Sequence, residues 1–179
     1  MRIFKNFIVL SAVILAFSVL NIGAQSLSNS ETERLVQKKI LRVSDYGVFD
    51  HITFTTDGGT VTLNGKVANA RNKKEAENNV RDVPGVRQVI NNIEVLPPSS
   101  FDASIRRDLY RSISNFGGLS RYLWTVNPSV RLIVDGGHVT LEGYVANKGD
   151  YNAMNVVARG VSGVFSVKNN LIVDNGKAR

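Results

Sequence analysis

The sequence of 179 residues contains no cysteine, only two histidines and only four prolines. The absence of cysteine excludes disulfide bonds, thiolate metal ligands, a cysteine nucleophile and a lipid anchor attached through cysteine. Two histidines leave few groups for acid–base or metal chemistry. The hydrophobic share of 43% argues against intrinsic disorder, because this much apolar surface can offset the entropy of the chain. A formal net charge of +7 indicates anionic partners.

Long apolar runs are also scarce, and the one that occurs lies at the start of the sequence. Arg2 and Lys5 precede an uncharged, mostly apolar run over 7–20, and small or turn-forming residues follow as far as Ala24. This three-part pattern predicts a signal peptide over 1–24, cleaved near Ala24, and therefore an exported protein. An uncleaved anchor is the alternative, but a bilayer span needs about 20 apolar residues. We expect no transmembrane span after cleavage, which would lower the net charge to +5.

The remainder of the sequence contains an internal repeat. Residues 57–69 (DGGTVTLNGKVAN) return at 135–147 (DGGHVTLEGYVAN), and the offset of 78 holds without a gap to Val95 and Val173. Of these 39 aligned positions 18 are identical, whereas unrelated segments of ordinary composition would share about 2 or 3. The sequence is therefore a tandem duplication.

Both copies show the same order of predicted secondary structure. Apolar residues four apart predict a first helix, two alternating runs around Asp-Gly-Gly predict a β-hairpin, and a second helix and a final strand follow. We therefore predict an α+β protein of two tandem small two-layer domains, each helix-strand-strand-helix-strand. We expect the first domain over 30–96, a linker over 97–101 and the second domain over 102–175. Ser30 and Asp102 are the predicted helix N-caps.

The aspartates and glycines shared by the two copies have structural explanations. Asp-Gly-Gly is typical of a tight hairpin turn, where glycine tolerates a positive φ. A glycine on the apolar side of the following strand predicts a helix packed closely over it, or a bulge. A glycine after the second helix predicts its end. The residues interpreted as turn or motif positions are Asp57, Gly58, Gly59, Gly65, Gly85, Asp135, Gly136, Gly137, Gly143 and Gly163.

The repeated motif resembles the BON domain. It reads Asp-Gly-Gly-x-Val-x-Leu-x-Gly-x-Val, then a helix, then Val-x-Gly-Val-x-x-Val-x-Asn-x-(Leu/Ile)-x-Val from Val83 and again from Val161. Two such domains behind a signal peptide are similar to exported dual-BON proteins of the bacterial envelope, such as the osmotically inducible periplasmic type. The resemblance implies a non-enzymatic protein that binds phospholipid and supports envelope integrity or osmotic-stress tolerance. A periplasmic chaperone or protein–protein adaptor is the alternative. An insertion around Phe116–Ser129 sets the second copy apart.

Positive charge is concentrated in the second copy. Residues 98–179 contain ten Lys and Arg against six Asp and Glu, compared with ten against nine over 31–97. Arginines beside Tyr and Trp are typical of a lipid headgroup interface, where cations meet anionic lipid and the rings lie at headgroup depth. The alternative is a solvated helix face beside rings that close a small core. The candidate lipid-binding residues are Arg107, Arg111, Arg121, Tyr122 and Trp124.

Motifs for catalysis and metal binding are missing. His51 and His138 occupy non-equivalent repeat positions, and neither has a neighbour at metal-ligand spacing. Turn formation explains Asp57 and Asp135 better than acid–base chemistry does. No nucleophile elbow surrounds a serine, and the Gly-Gly turns lack the context of a phosphate loop. We expect no enzymatic activity, no metal and no cofactor. The expected partner is an anionic phospholipid membrane surface or an envelope protein, and not nucleic acid; the sequence leaves the oligomeric state open.

Overall fold

The structure, a computed structural model, describes residues 28–124 and 126–174. The predicted signal peptide over 1–24 lies outside the described residues. Across the described part of the chain, no helix has both the length and the apolar character that crossing a membrane requires.

The first unit, residues 28–97, contains a three-stranded sheet covered on one face by two helices. The two hairpin strands are antiparallel, and the third strand lies parallel to the central strand on its other side. Val36 and Val80 of the helices pack against Leu63 of the central strand, and all three are fully buried. The elements are α1 (Asn29–Ile40), β1 (His51–Asp57), β2 (Thr60–Val67), α2 (Ala70–Arg81) and β3 (Gln88–Val95).

The second unit, residues 98–174, repeats this arrangement with two differences. A 3-10 helix follows its first α-helix, and its final strand is broken into two short pieces that both pair parallel to the central strand. Leu109, Leu132 and Met154 lie in its core. The prediction of two tandem α+β domains is confirmed. The elements are α3 (Ser100–Ser114), the 3-10 helix (Leu119–Leu123), β4 (Val130–Asp135), β5 (His138–Val145), α4 (Lys148–Arg159), β6 (Ser166–Asn169) and β7 (Ile172–Val173).

The predicted N-caps are wrong in both units. Helix α1 begins after Ser28, and its hydroxyl, not that of Ser30, accepts a backbone N–H of the first turn. Helix α3 begins after Ser99, whose hydroxyl accepts the N–H of Asp102 at 3.1 Å. Each helix therefore starts earlier than predicted, because an upstream serine offers the same acceptor. The carboxylate of Asp102 is instead bonded to the N–H groups of Gly136 and Gly137 in the hairpin turn.

The glycines in the two central strands are required by a neighbouring strand rather than by a helix. Gly65 has a φ of +125°, and a Cβ built on it would lie 2.0 Å from the carbonyl oxygen of His51. Gly143 has a φ of +108°, and its Cβ would lie 2.1 Å from the carbonyl oxygen of Ser129. The expected close approach is thus real, but it comes from the backbone at the start of the hairpin and not from a helix.

A loop of the first unit joins the two units. This docking loop, residues 46–49, connects α1 to β1. The carbonyl oxygen of Val48 accepts the N–H of Leu132 at 2.7 Å, so the loop covers the outer edge of β4. Val48 and Phe49 pack against the core of the second unit. As a result, side chains on both faces of β4 are buried from Val130 to Val134.

Arg131 connects β4 to the same loop. Its guanidinium lies 4.2 Å from the ring centroid of Tyr46, and its Nη1 donates to the carbonyl oxygen of Gly47 at 2.7 Å. The side chain is only 6% exposed, and this burial lowers the pKa of Arg131. A second link joins Nζ of Lys66 to Oδ2 of Asp135 at 2.6 Å. The sequence pattern indicated neither contact.

A buried carboxylate holds the docking loop in shape. Oδ1 of Asp50 accepts the N–H of Ala68 at 2.7 Å, and Oδ2 accepts the N–H of Gly47 at 3.0 Å and Nδ2 of Asn72 at 3.1 Å. Burial raises the pKa of Asp50, although these hydrogen bonds favour the ionised form. These hydrogen bonds fix the docking loop to the first unit, next to the residues that contact the second unit.

Candidate functional site

The structure divides the five predicted lipid-binding residues into two groups. Arg107 and Arg111 lie on the exposed side of α3, and Trp124, directly after the 3-10 helix, is 70% exposed. Arg121 and Tyr122 lie on the 3-10 helix itself and interact with α4. Arg107, Arg111 and Trp124 therefore face solvent. Within the part of the chain that the structure describes, the two arginines form side-chain hydrogen bonds and ion pairs only with residues of α3 itself.

Tyr122 and Arg121 connect the 3-10 helix to α4. Tyr122 is 6% exposed, and its hydroxyl donates to Oδ2 of Asp150 at 2.5 Å and accepts the N–H of Ala146 at 3.0 Å. Nη2 of Arg121 donates to the same carboxylate oxygen, and the guanidinium lies 4.7 Å from the Tyr122 ring centroid. The hydrogen bond to Tyr122 and the charge of Asp150 raise the pKa of Arg121. In this structure the Tyr122 ring closes the core and is not available to a membrane.

Two apolar residues that sequence reasoning missed extend the exposed surface around Trp124. Val126 is 85% exposed, and Phe116 lies half exposed just after α3. Trp124 and Val126 line a shallow groove of about 490 Å³. The Asn-Pro pair that follows Val126 is a turn signal, and it could have shown that this valine lies outside regular structure. We call the groove lining the apolar patch: Tyr110, Ser114, Ser120, Leu123, Trp124 and Val126.

Two arginines flank the apolar patch along α3. Arg107, Tyr110, Arg111 and Ser114 follow at the spacing of one helix face. The guanidinium of Arg107 donates to a serine hydroxyl one turn earlier, and Nη1 of Arg111 lies 3.6 Å from the carboxylate of Asp108. Both interactions are local to α3 and solvent exposed, so they bind the arginines weakly. The guanidinium groups can therefore turn toward an anionic surface.

Other arginines of the second unit have structural roles. Nη2 of Arg106 donates to the carbonyl oxygen of Val134 at 2.6 Å, and Arg131 is buried against the docking loop. The positively charged surface of this unit is therefore smaller than its number of Lys and Arg residues suggests. On α3, the arginines exposed to solvent are Arg107 and Arg111.

A second concavity lies between the two units. This groove of about 500 Å³ is lined by residues of both, among them Tyr46, His51, Arg131 and Tyr144. Burial lowers the pKa of His51, and the nearby Glu142 carboxylate acts in the opposite direction. Tyr46 and Arg131 are already engaged with each other, so these two side chains are not free to bind a ligand in the groove.

The geometry defines a class of protein: tandem small α+β domains. Over residues 28–124 and 126–174, no group of three or more His, Cys, Asp or Glu side chains is placed to hold a metal ion. A family model for the BON domain matches residues 28–97 and 102–175, and the chain belongs to the BON domain family, with two copies in tandem. BON domains are generally non-catalytic binding modules that occur in periplasmic and envelope proteins and are associated with phospholipid binding and osmotic stress.

The similar solved structures include two of CdsD, a structural protein of the Type III secretion system of Chlamydia trachomatis. One has 13% identity and a TM-score of 0.32, and covers 80% of this chain and 92% of that chain. The other is the C-terminal domain of CdsD, with 13% identity and a TM-score of 0.32 over 82% and 99%. A likeness at this score says nothing about what the present chain binds. No curated protein matches the chain.

Proposed function

We propose that the protein is a non-enzymatic, peripheral protein of the bacterial periplasm that binds anionic phospholipid surfaces and supports envelope integrity or osmotic-stress tolerance. The observation that carries the proposal is the apolar patch beside Arg107 and Arg111. Large apolar side chains such as Trp124 and Val126 are unfavourable in water when they stand together, and such patches mark interaction sites. An indole ring is suited to the headgroup region, where one side is apolar and the other wet. The periplasmic location rests on the predicted signal peptide over 1–24.

The charges determine how strong this binding can be. Each arginine near an anionic bilayer contributes about 1 kcal/mol. Arg107 and Arg111 together would then contribute about 2 kcal/mol, which is roughly a thirtyfold change in affinity. Binding of this strength is reversible and weakens as salt rises.

Trp124 allows a direct test, because it is the one tryptophan of the sequence. Vesicles of phosphatidylglycerol should shift its fluorescence to shorter wavelength as the ring leaves water, and vesicles of phosphatidylcholine should do so far less. Rising salt should reverse the shift. The absence of a shift with phosphatidylglycerol would refute the proposal.

Charge variants show whether α3 is responsible. Arg107→Gln with Arg111→Gln should weaken vesicle binding about thirtyfold. Lys73→Gln with Lys74→Gln makes the same change in net charge on α2 of the first unit, and it should have little effect. An equal loss in both variants would show that net charge, and not this surface, controls binding.

One observation favours the alternative of a chaperone or adaptor that accepts a strand. Within residues 28–124 and 126–174, the first sheet ends at β3, an eight-residue strand that pairs only with β2. This strand carries Ile90 and Val95, each 40% exposed. Such an edge can accept a strand from another protein. This activity should suppress aggregation of an unfolded client at high salt, where lipid binding is lost. Ile90→Lys should abolish it and leave vesicle binding unchanged.

A further inference from the structure

The two copies of the hairpin turn have the same backbone but different surroundings. In the second unit Gly136 and Gly137 have φ values of +57° and +80°, and in the first unit Gly58 and Gly59 have +51° and +87°. In both, the turn lies between strands paired in the same register. Neighbouring N–H groups in a tight turn can point the same way and form an anion-binding concavity.

In the second unit a carboxylate occupies this concavity. Oδ2 of Asp102 accepts the N–H of Gly136 at 2.9 Å, and Oδ1 accepts the N–H of Gly137 at 2.8 Å. Asp102 is 1% exposed, and aromatic rings close the site. Phe101 and Phe165 stack with centroids 5.7 Å apart and lie over Gly137. The molecule thus shows which chemical group this turn binds.

In the first unit the corresponding space is open and polar. Thr32 stands against Gly85 where Phe101 stands against Gly163, and Arg87 stands against Gly59 where Phe165 stands against Gly137. The rings are therefore replaced by a hydroxyl and a guanidinium. A cavity of about 240 Å³ results, lined by Asn29, Thr32, Thr56, Gly58, Gly59, Val61, Gly85 and Arg87.

The acidic side chain that corresponds to Asp102 does not fill this cavity. Glu33 occupies the matching helix position when the buried residues Val36 and Ile40 are aligned with Ile105 and Leu109. Its Oε1 accepts the hydroxyl of Thr56 at 2.8 Å. Arg87 donates to the carbonyl oxygen of Gly58, and within residues 28–124 and 126–174 it forms no ion pair. Two turn N–H groups and one guanidinium therefore surround a space without a carboxylate.

We propose that the Gly58–Gly59 turn and Arg87 bind the carboxylate of a small ligand, in the way that the second unit binds its own Asp102. The two backbone N–H groups would hold the two carboxylate oxygens, and Arg87 would supply the charge. The hydroxyl of Thr32 would contact the remainder of the ligand. This site lies in the first unit and is independent of the lipid surface proposed on α3.

Amide NMR of the 15N-labelled protein tests the site with acetate as the probe. Acetate, added against sodium chloride at equal ionic strength, should shift the amide signals of Gly58 and Gly59 saturably. The amides of Gly136 and Gly137, already bonded to Asp102, should not respond. No saturable shift at Gly58 and Gly59 would overturn the proposal, and so would tighter binding of inorganic phosphate than of acetate.

Variants separate the carboxylate site from a general charge effect. Arg87→Gln should weaken acetate binding about tenfold, the effect of one charge-assisted hydrogen bond. Arg159→Gln on α4 removes an equal charge and should change nothing. In a folded Asp102→Ala variant, the amide signals of Gly136 and Gly137 should respond to acetate. If this variant does not fold, the Arg87→Gln measurement still tests the site. A response that appears only in Glu33→Gln would show that Glu33 itself fills the turn, and would overturn the site. Vesicle binding should be unchanged in the Arg87 variant, so failure here would not affect the lipid proposal.

Discussion

Replacing Arg131 by methionine should destabilise the protein by separating the docking loop from β4. The variant keeps the length and apolar volume of the side chain but loses its hydrogen bond to the Gly47 carbonyl and its position over the Tyr46 ring. A hydrogen bond to a charged group contributes about 1.5–3 kcal/mol, and a partly desolvated cation–π contact about 1–2 kcal/mol. Relief of the burial of the charge offsets part of this loss. We therefore expect a loss of about 2–3 kcal/mol in the free energy of unfolding.

Urea unfolding followed by circular dichroism measures this loss, and a double-mutant cycle isolates the ring contact. Combining Arg131→Met with Tyr46→Leu should give a coupling energy of about 1 kcal/mol. Tyr46→Phe keeps the ring face and removes only the hydroxyl that accepts the N–H of Ile52, so it should preserve the coupling. Arg159→Met, an exposed change on α4, should cost less than about 0.5 kcal/mol. Additive effects of Arg131→Met and Tyr46→Leu would refute the contact as a source of stability.

Three further outcomes are expected. Gly65→Ala should lower the free energy of unfolding by more than about 3 kcal/mol, because the new Cβ would meet a carbonyl oxygen. Gly58→Ala should lower it by only about 1–2 kcal/mol, because the space around this glycine is open. Thermal unfolding of the two variants compares these losses. Tyr122→Phe should cost about 1–3 kcal/mol in urea, because the N–H of Ala146 loses its acceptor and Asp150 loses one of its three hydrogen-bond donors. The folded-state pKa of His51 is lowered, so its neutral form stabilises the fold above pH 6.5 and this contribution is lost as pH falls below it. His51→Gln should therefore flatten the pH dependence of unfolding there, and an unchanged slope would contradict the assignment.

Periodicity and repetition were sufficient to predict the fold class. Positions such as Val61, Leu63 and Val67 alternate with polar residues, and the same pattern returns 78 residues later, so each copy supports the prediction for the other. The parallel pairing of the last strand follows from the helical crossover before it. These features depend on local pattern, which one sequence displays directly.

Contacts between the units could not be predicted, because they join residues with no pattern in common. Arg131 interrupts an otherwise apolar strand, and sequence alone suggests a solvent-facing charge at that position. The structure buries it on Tyr46, which lies 85 positions earlier in the chain. A contact within the second unit was equally hidden. Tyr122 is buried rather than exposed to a membrane, because its hydroxyl binds Asp150 on α4.

The difference between the two turns is visible in the sequence. The repeat alignment places Arg87 opposite Phe165, a charged residue opposite an aromatic one. Comparison of copies identifies such exchanges as easily as identities. The meaning of the exchange required the coordinates, because the carboxylate of Asp102 reaches the turn from a helix outside the aligned segment.

The docking loop also fixes the order in which the chain can be assembled. The first unit precedes the second along the chain, and N-terminal domains tend to fold first. Val48 and Phe49 are thus already in place when β4 folds. The side chains of this strand are buried on both faces, and its outer edge is covered by the docking loop. Without the docking loop, the unpaired edge of β4 would be free to pair with another chain and aggregate. The first unit therefore acts as a built-in template for the second, and exchanging the two copies along the chain would remove that protection.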